Sequence, residues 1–201
     1  ITYNYSEKYF FEFNGSYNGS ENFMSGRQYG FFPAMSAGWT VTKEDFLRNS
    51  KVLSYLKIRG SYGKVGNDRV GGRRFLFLTS YDNGGTGSLG NPGNNVQFGS
   101  PSSPTSYPVL WLPDNNLGNI ANTWEESIKR NIGFESRFFD NSLKLNVDLF
   151  DENRSNILAE RNSGLQTFGH KYPAMNVGKV YNRGYEIEAD YQGKVGQGQY
   201  G

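Results

Sequence analysis

The feature that most constrains this chain is a two-residue turn between two long alternating segments, Trp124–Phe139 and Leu143–Phe150. After the turn the sequence reads L-K-L-N-V-D-L-F, so Leu143, Leu145, Val147 and Leu149 alternate with Lys144, Asn146 and Asp148. Successive side chains of a strand point to opposite faces, and such a segment builds a sheet with one apolar and one wetted surface. The pattern returns at Tyr9–Asn18, where Tyr9, Phe11, Phe13 and Tyr17 oppose Glu12, Asn14, Ser16 and Asn18. It returns at Ser54–Lys64 (Leu56, Ile58 and Tyr62 against Lys57, Arg59 and Ser61) and at Tyr181–Lys194 (Tyr185, Ile187, Ala189 and Tyr191 against Glu186, Glu188, Asp190 and Gln192). With Ile1–Tyr5, Asn122–Arg137 and Tyr29–Val41 added, the chain reads as all-β, with about seven antiparallel strands and no internal repeat. Pro33 costs its strand a ladder hydrogen bond unless that position is unpaired.

Composition narrows the class. Hydrophobic residues make up 36% of the chain and aromatics 16%. The longest apolar runs, Phe75–Leu78 and Val109–Leu112, fall far short of the ~20 residues a spanning helix needs, which excludes a helical membrane protein. A membrane β-barrel stays open, because only alternate residues of its strands need be apolar. The net charge of +2 is dispersed, without the basic cluster of a nucleic-acid binder. Cysteine is absent, so there is no disulfide framework, thiolate zinc site or cysteine nucleophile. The single histidine, His170, lies in a Gly/Pro-flanked stretch and reads as a solvated loop residue, with no second His or Cys to complete a metal site. Glu125, Glu126, Asp148, Glu186, Glu188 and Asp190 sit at alternate strand positions among Lys and Arg, the arrangement of a hydrated wall rather than of a focused glycosidase pair. No catalytic residue, metal or cofactor is expected, and the chain is not expected to be an enzyme.

The connections carry information of their own. The short turns Ser6–Lys8 and Asp140–Asn141 fall on one edge of the sheet, and the long irregular segments Val65–Ala121 and Ile157–Asn176 on the other. Outer-membrane barrels have this asymmetry of short periplasmic turns and long external loops. Lys43–Val52 lies on the short-turn edge and is longer than expected there. It is expected to hold a short helix with Thr42 as N-cap and Glu44 and Asp45 in its first turn. One short strand, Arg73–Tyr81, is expected inside the long loop, and Gly15 is expected to mark a bend. Tyr9, Trp39 and Phe138 near the short turns, and Tyr62 and Tyr185 nearer the long loops, are placed as two aromatic belts at the membrane surfaces. Glu126 and Arg130 break the apolar row of Ile128, Ile132, Phe134 and Phe138 and are placed above the membrane, while Ser136 breaks it lower down. The chain opens I-T-Y-N-Y-S-E and closes G-Q-G-Q-Y-G, and both ends are expected to be cuts in a longer protein.

Four stretches, in order, resemble a known family: F-F-P-A-M-S-A-G-W (Phe31–Trp39), Y-L-K-I-R-G-S-Y-G-K-V-G-N (Tyr55–Asn67), T-W-E with N-I-G (Thr123–Glu125, Asn131–Gly133), and N-V-G-K-V-Y-N-R-G-Y-E-I-E (Asn176–Glu188). Together they are similar to the barrel of SusC/RagA-type TonB-dependent outer-membrane transporters. The resemblance implies a barrel of about 22 strands around an N-terminal plug. It further implies a segment that contacts TonB, a SusD-like surface lipoprotein as cap, and import of oligosaccharides or peptides across a bacterial (Gram-negative, Bacteroidota-like) outer membrane. Residues 1–201 would then be part of one barrel domain with residues 65–121 as a long external loop and the plug absent, about a third of the wall by strand count.

On this reading Phe11, Phe13, Leu56, Ile58, Leu145, Val147 and Ile187 face lipid, and Lys57, Arg59, Lys144, Asp148, Glu186 and Glu188 face the lumen. Tyr81, Tyr107, Trp111 and Asn115 are candidate substrate contacts, since aromatic faces beside amides suit a sugar ring. Trp111 with Leu110 and Leu112 could instead pin the loop to the wall or to the cap. The competing fold is a secreted β-sandwich that binds carbohydrate. It is opposed by the segregation of turn lengths and by strands longer than the usual ~5–6 residues.

Overall fold

The computed structural model describes residues 1–48, 50–69, 74–80, 117–160 and 172–193 with their side chains. It describes residues 82–83, 95–100, 103–108, 110–111, 194–195 and 198–200 as backbone only. In chain order the strands are β1 (Thr2–Tyr5), β2 (Tyr9–Gly19), β3 (Tyr29–Thr40) and β4 (Leu53–Asn67), then the short β5 (Asp82–Asn83), β6 (Asn95–Ser100), β7 (Ser103–Pro108) and β8 (Leu110–Trp111). The long strands β9 (Glu125–Phe138), β10 (Leu143–Ala159) and β11 (Met175–Tyr191) come next, and then β12 (Gly193–Val195) and β13 (Gly198–Tyr200). Seven of them form one antiparallel sheet in the order β1-β2-β3-β4-β9-β10-β11. The remaining six form the pairs β5–β8, β6–β7 and β12–β13.

Register turns the alternating sequence into two chemically distinct faces. Tyr9, Trp39, Ile58, Phe134, Val147 and Ile187 stand side by side in one cross-strand row. One residue further along is the row Phe10, Gly38, Arg59, Gly133, Asp148 and Glu186, which belongs to the opposite face. Every substantial strand–strand contact in the large sheet is between ladder neighbours, so the sheet is a single layer. A β-sandwich would need a second sheet on the apolar rows. Among the described residues there is none, and Phe11, Ile132, Phe134, Leu149, Tyr185 and Ile187 are exposed.

The apolar face is bounded obliquely. On β9, β10 and β11 it runs unbroken to the row Ile132, Leu149, Tyr185; the next row on that face is the charged Arg130, Asp151, Arg183, with Ile128, Asn153 and Tyr181 beyond it. On β2 and β3 it continues to the pair Tyr17–Phe31. The Tyr185 row meets β2 at Phe11, six residues short of Tyr17, five strands away. The short-turn margin slopes the same way, from Tyr9 on β2 to the row Phe138, Leu143, Tyr191, which lies four residues below Ile187.

Several expectations need correction. The β9–β10 connection has four residues rather than two: Phe138 pairs with Leu143, and Phe139, Asp140 and Asn141 all adopt positive φ. The bond from Ser142 N–H to the Phe139 carbonyl (3.1 Å) encloses Asp140 and Asn141, side chains that tolerate the left-handed region a type I′ turn needs. Thr42 caps no α-helix. Val41–Lys43 is one turn of 3-10 helix, continued by a single turn around Glu44, and the Thr42 hydroxyl accepts the Leu56 N–H (3.2 Å) instead.

The expected strand Arg73–Tyr81 is not a strand where it is described: Phe75 has φ 54°, and the Leu78 N–H bonds the Phe75 carbonyl. That turn buries Leu76 and sets the rings of Phe75 and Phe77 edge to face. Gly15 lies in unbroken β2 and marks no bend; the Phe31 ring lies across it, 3.2 Å from where a Cβ would stand. The β3–β4 ladder ends at Ala34–Gly63, one residue before Pro33, so no pairing on that side calls for its missing N–H. β10 and β11 are longer than their alternation suggests, because a bulge near Asn156 (φ 57°) breaks the phase while pairing resumes beyond it.

Candidate functional site

The polar face is held together by charges that reach across strands. Arg59 on β4 extends over β9 to Asp148 on β10, its Nη2 donating to both carboxylate oxygens at 2.7 Å. Its Nε lies 3.1 Å from Glu135 Oε1. The crossing depends on Gly133, which lies between them in the same row: a Cβ there would come within 2.7 Å of both Arg59 Nε and Asp148 Oδ1. Toward the short turns, Lys144 pairs with Asp190 (3.2 Å) and Asn146 donates to Glu188 (3.2 Å). Toward the long loops, Ser127 donates to Glu152 (2.7 Å) and Arg154 lies 3.6 Å from Glu125. Between β1 and β9 this face is concave. A hollow of about 350 Å³ is lined by Glu12, Ser36, Gly38, Lys57, Arg59 and Asn131, and a neighbouring one of about 240 Å³ by Asn14, Ala34, Ser61, Gly63 and Lys129. The larger hollow also touches Tyr3 and Phe10, so charged and polar side chains line it together with aromatic rings.

At the long-loop edge the connections fold onto one another. The loop after β2 leans over the end of β4, where Asn22 Nδ2 donates to the Asp68 carbonyl (3.2 Å). It brings Phe23 into a buried cluster with Phe32 and Trp124, with ring centroids 5.4 Å and 5.1 Å from the indole. Trp124 Nε1 donates to the Gln28 carbonyl (3.1 Å) and Arg27 to the Ala121 carbonyl (3.0 Å). Asn176 behaves like a backbone unit: its amide pairs with both the N–H and the carbonyl of Thr123 at 2.9 Å and donates to the bulged Asn156 carbonyl at 2.7 Å. Asn119 joins Asn122 (3.0 Å) to the Ala174 carbonyl (3.1 Å).

The six residues expected on the wetted surface, Lys57, Arg59, Lys144, Asp148, Glu186 and Glu188, fall on this polar face; Phe11, Phe13, Leu56, Ile58, Leu145, Val147 and Ile187 fall on the other. Tyr81 and Asn115 lie outside the described residues, and Tyr107 and Trp111 are described as backbone of β7 and β8 only. The residues that break the apolar rows are paired: Ser136 donates to the Leu145 carbonyl (2.8 Å), Glu126 meets Lys64 (2.7 Å) and Arg130 meets Asp151 (3.2 Å). Gly133, Glu135, Asn176 and the Phe23–Phe32–Trp124 cluster were missed from sequence. Alternation assigns a face but not a register, so nothing marked Gly133 as the residue beneath Arg59.

A single-layer antiparallel sheet with unlike faces, its short turns on one edge and its long loops on the other, is a stretch of β-barrel wall. Comparison with known proteins identifies which kind. The family model "TonB dependent receptor-like, beta-barrel" matches residues 2–201, and the chain belongs to that family. It is 29% identical over 187 residues to TonB-dependent receptor P39 of Formosa agariphila and 26% identical over 187 residues to TonB-dependent receptor SusC of Bacteroides thetaiotaomicron. Each match covers 93% of this chain, but only 16% and 17% of the relatives. The fold is similar to the RagAB peptide importer in its open-open state (TM-score 0.75, 18% identity, 98% of this chain and 19% of that one). It is also similar to the siderophore receptor PirA of Pseudomonas aeruginosa (TM-score 0.52, 12% identity, 98% of this chain and 30% of that one). The chain thus spans about a sixth of the length of the curated relatives it matches.

Proposed function

We propose that residues 1–201 form part of the wall of an energised outer-membrane importer, working with a SusD-like surface lipoprotein and TonB to admit oligosaccharides or peptides. The apolar face meets lipid and the polar face lines the lumen. The observation that carries this is the slant of the apolar surface. Over five strand spacings of ~4.8 Å, six residues of ~3.3 Å at the upper margin and four at the lower make inclines of about 40° and about 30°. Strands of membrane barrels tilt by ~35–45°, so a level slab of lipid would cut such an incline across the ladder. A protein layer packed on the sheet has no reason to follow that line. The paired Arg130–Asp151 and Lys64–Glu126 then lie at the upper lipid margin, where a charge costs ~0–1 kcal/mol instead of the ~2–4 it costs at mid-bilayer.

The polar face suits a hydrated passage: Arg59 is neutralised by Glu135 and Asp148, and its hollows carry Ser, Asn, Lys and Glu side chains beside the Phe10 ring. Residues 65–121 belong to the outside, with Tyr81, Tyr107, Trp111 and Asn115 as cargo contacts. RagAB being a peptide importer supports peptides as one cargo class.

The test is a receptor-deletion strain grown on single oligosaccharides or peptides as sole carbon source. The expected result is loss of growth on one such cargo, reproduced by loss of TonB, with the receptor in the outer-membrane fraction and a lipoprotein copurifying in detergent. Unchanged growth on every cargo, or a receptor soluble without detergent, would overturn the proposal.

A further inference from the structure

The segment between β3 and β4 is too long for a plain turn, and the barrel reading gives it no task. Its central side chain is Glu44. One carboxylate oxygen accepts the Tyr9 hydroxyl (2.6 Å) and the Trp39 indole N–H (3.2 Å), and the other meets Lys8 Nζ (3.2 Å). Tyr9 and Trp39 are cross-strand partners on the apolar face, at its short-turn margin. Glu44 therefore draws the segment along the apolar side of the sheet rather than beneath the lumen. The Thr42–Leu56 bond and the bond from Thr40 N–H to the Lys8 carbonyl (2.7 Å) tie the segment to the strands. Bonds from the N–H groups of Leu47 and Arg48 to the Glu44 carbonyl (3.0 Å each) curl the chain after Glu44 into a turn that leaves Phe46 72% exposed. Val52 and Phe139, joined by a backbone bond of 2.9 Å, add two more exposed apolar side chains at the same edge.

The charges nearby are largely spent on one another: Lys43 on Glu7, Arg48 on Asp45 (3.6 Å), Lys8 on Glu44. What remains is an apolar tip beside two amphipathic rings whose polar atoms converge on one carboxylate. Rings with a greasy body and a polar edge favour the boundary between headgroups and acyl chains.

We infer that residues 41–48 and 50–52 form an anchor on the inner-leaflet surface of the membrane, with Phe46 entering the headgroup–acyl boundary and Glu44 fixing Tyr9 and Trp39 at that depth. The partner is lipid: among the described residues the charges outside these pairs, Lys51 and Asp140, are single and of opposite sign, and the tip is continuous with the apolar face. The inference rests on the barrel reading, and its test separates the two.

In the intact receptor, reconstituted in phosphatidylethanolamine–phosphatidylglycerol bilayers, single nitroxide labels are placed at Phe46→Cys, Ile187→Cys and Ser6→Cys. Collision with oxygen, which partitions into lipid, is compared with collision with a water-soluble nickel chelate. The expected oxygen-to-nickel ratio at 46 is several-fold above that at 6 and below that at 187, and Glu44→Gln lowers it. A ratio at 46 equal to that at 6, with 187 still lipid-exposed, would refute the anchor and leave the barrel standing. Shielding of 46 from both agents would refute it in favour of a protein contact. An aqueous ratio at 187 would sink the barrel reading itself.

Discussion

The two faces of this sheet share one backbone and differ by a shift of one residue, yet they are stabilised in opposite ways. On the polar face, stability is internal: Arg59 with Glu135 and Asp148, and Lys144 with Asp190, form ion pairs across strands, and Gly133 supplies the room. On the apolar face almost nothing is internal. Many of its large side chains are exposed, and the serine hydroxyl low in its rows, on Ser136, is turned onto a backbone carbonyl. The lesson is that the polar face carries its own solvation partners, whereas the apolar face takes its stability from what surrounds the sheet.

The sharpest way to break that contrast is to place one charge on each face at the same depth. Val147→Arg should lower the stability of the intact receptor by ~2–4 kcal/mol, read from urea-dependent folding into lipid vesicles. Asn146→Arg, one residue away on the wetted face, should change it by less than ~1 kcal/mol. Equal costs would mean that the faces do not meet different solvents.

Glycines give a second, smaller contrast. Gly66 lies beneath the Phe32 ring, which fills the space a Cβ would need, so Gly66→Ala must push Phe32 out of its contact with Trp124. Overpacking of this kind costs ~1–3 kcal/mol. Gly60 has only the Asn131 carbonyl oxygen at 3.9 Å, and Gly60→Ala should be neutral or add ~0.4–1 kcal/mol through the unfolded chain. Denaturation curves of the two variants, measured side by side, check the difference.

Next in size is the charge row itself. Arg59 and Asp148 are partly exposed, so their coupling in a double-mutant cycle with Arg59→Ala and Asp148→Ala should fall within ~0.2–1 kcal/mol. Gly133→Ala should erase most of that coupling, since the added methyl occupies the path of the guanidinium. Coupling that survives in Gly133→Ala would show that the pair does not need the gap.

The smallest effect concerns pH. Hydrogen bonds from Tyr9 above all, then from Lys8 and Trp39, hold the Glu44 carboxyl below its usual range. A carboxylate with a depressed folded value stabilises the fold at pH above its ordinary range, and that contribution fades as pH falls through the lowered value. The ¹⁹F signal of fluorotryptophan at position 39 should stay constant from neutral pH through the ordinary carboxylate range and move only below it. Movement within that range would contradict the Glu44 clamp.

Much of the wall was legible beforehand because alternation is local. Whether Leu145 or Lys144 faces a given side follows from parity alone, and the order of the long and short connections follows from counting. Register is not local. That Arg59, Gly133 and Asp148 share a row depends on how β4, β9 and β10 slide against one another, which no single segment encodes. Turn chemistry failed for a related reason. Glu44 and Asp45 look like the first turn of a helix, but Glu44 is claimed by Tyr9 and Trp39 from two other strands, and such tertiary contacts override a cap signal. The Phe23–Phe32–Trp124 cluster was illegible because its members come from a loop, a strand and a strand entry separated by long stretches of chain. The expected cargo contacts fared differently again, since Tyr81 and Asn115 lie outside the described residues.

The central claim, that acyl chains solvate the apolar face, is tested most directly by scanning β10 with a fluorescent label at each position from Leu143 to Phe150 in the intact, reconstituted receptor. Quenching by brominated lipid should peak at 143, 145, 147 and 149, and quenching by aqueous iodide at 144, 146, 148 and 150. Protection of the odd positions from both quenchers would mean that protein covers them, and the account would be wrong.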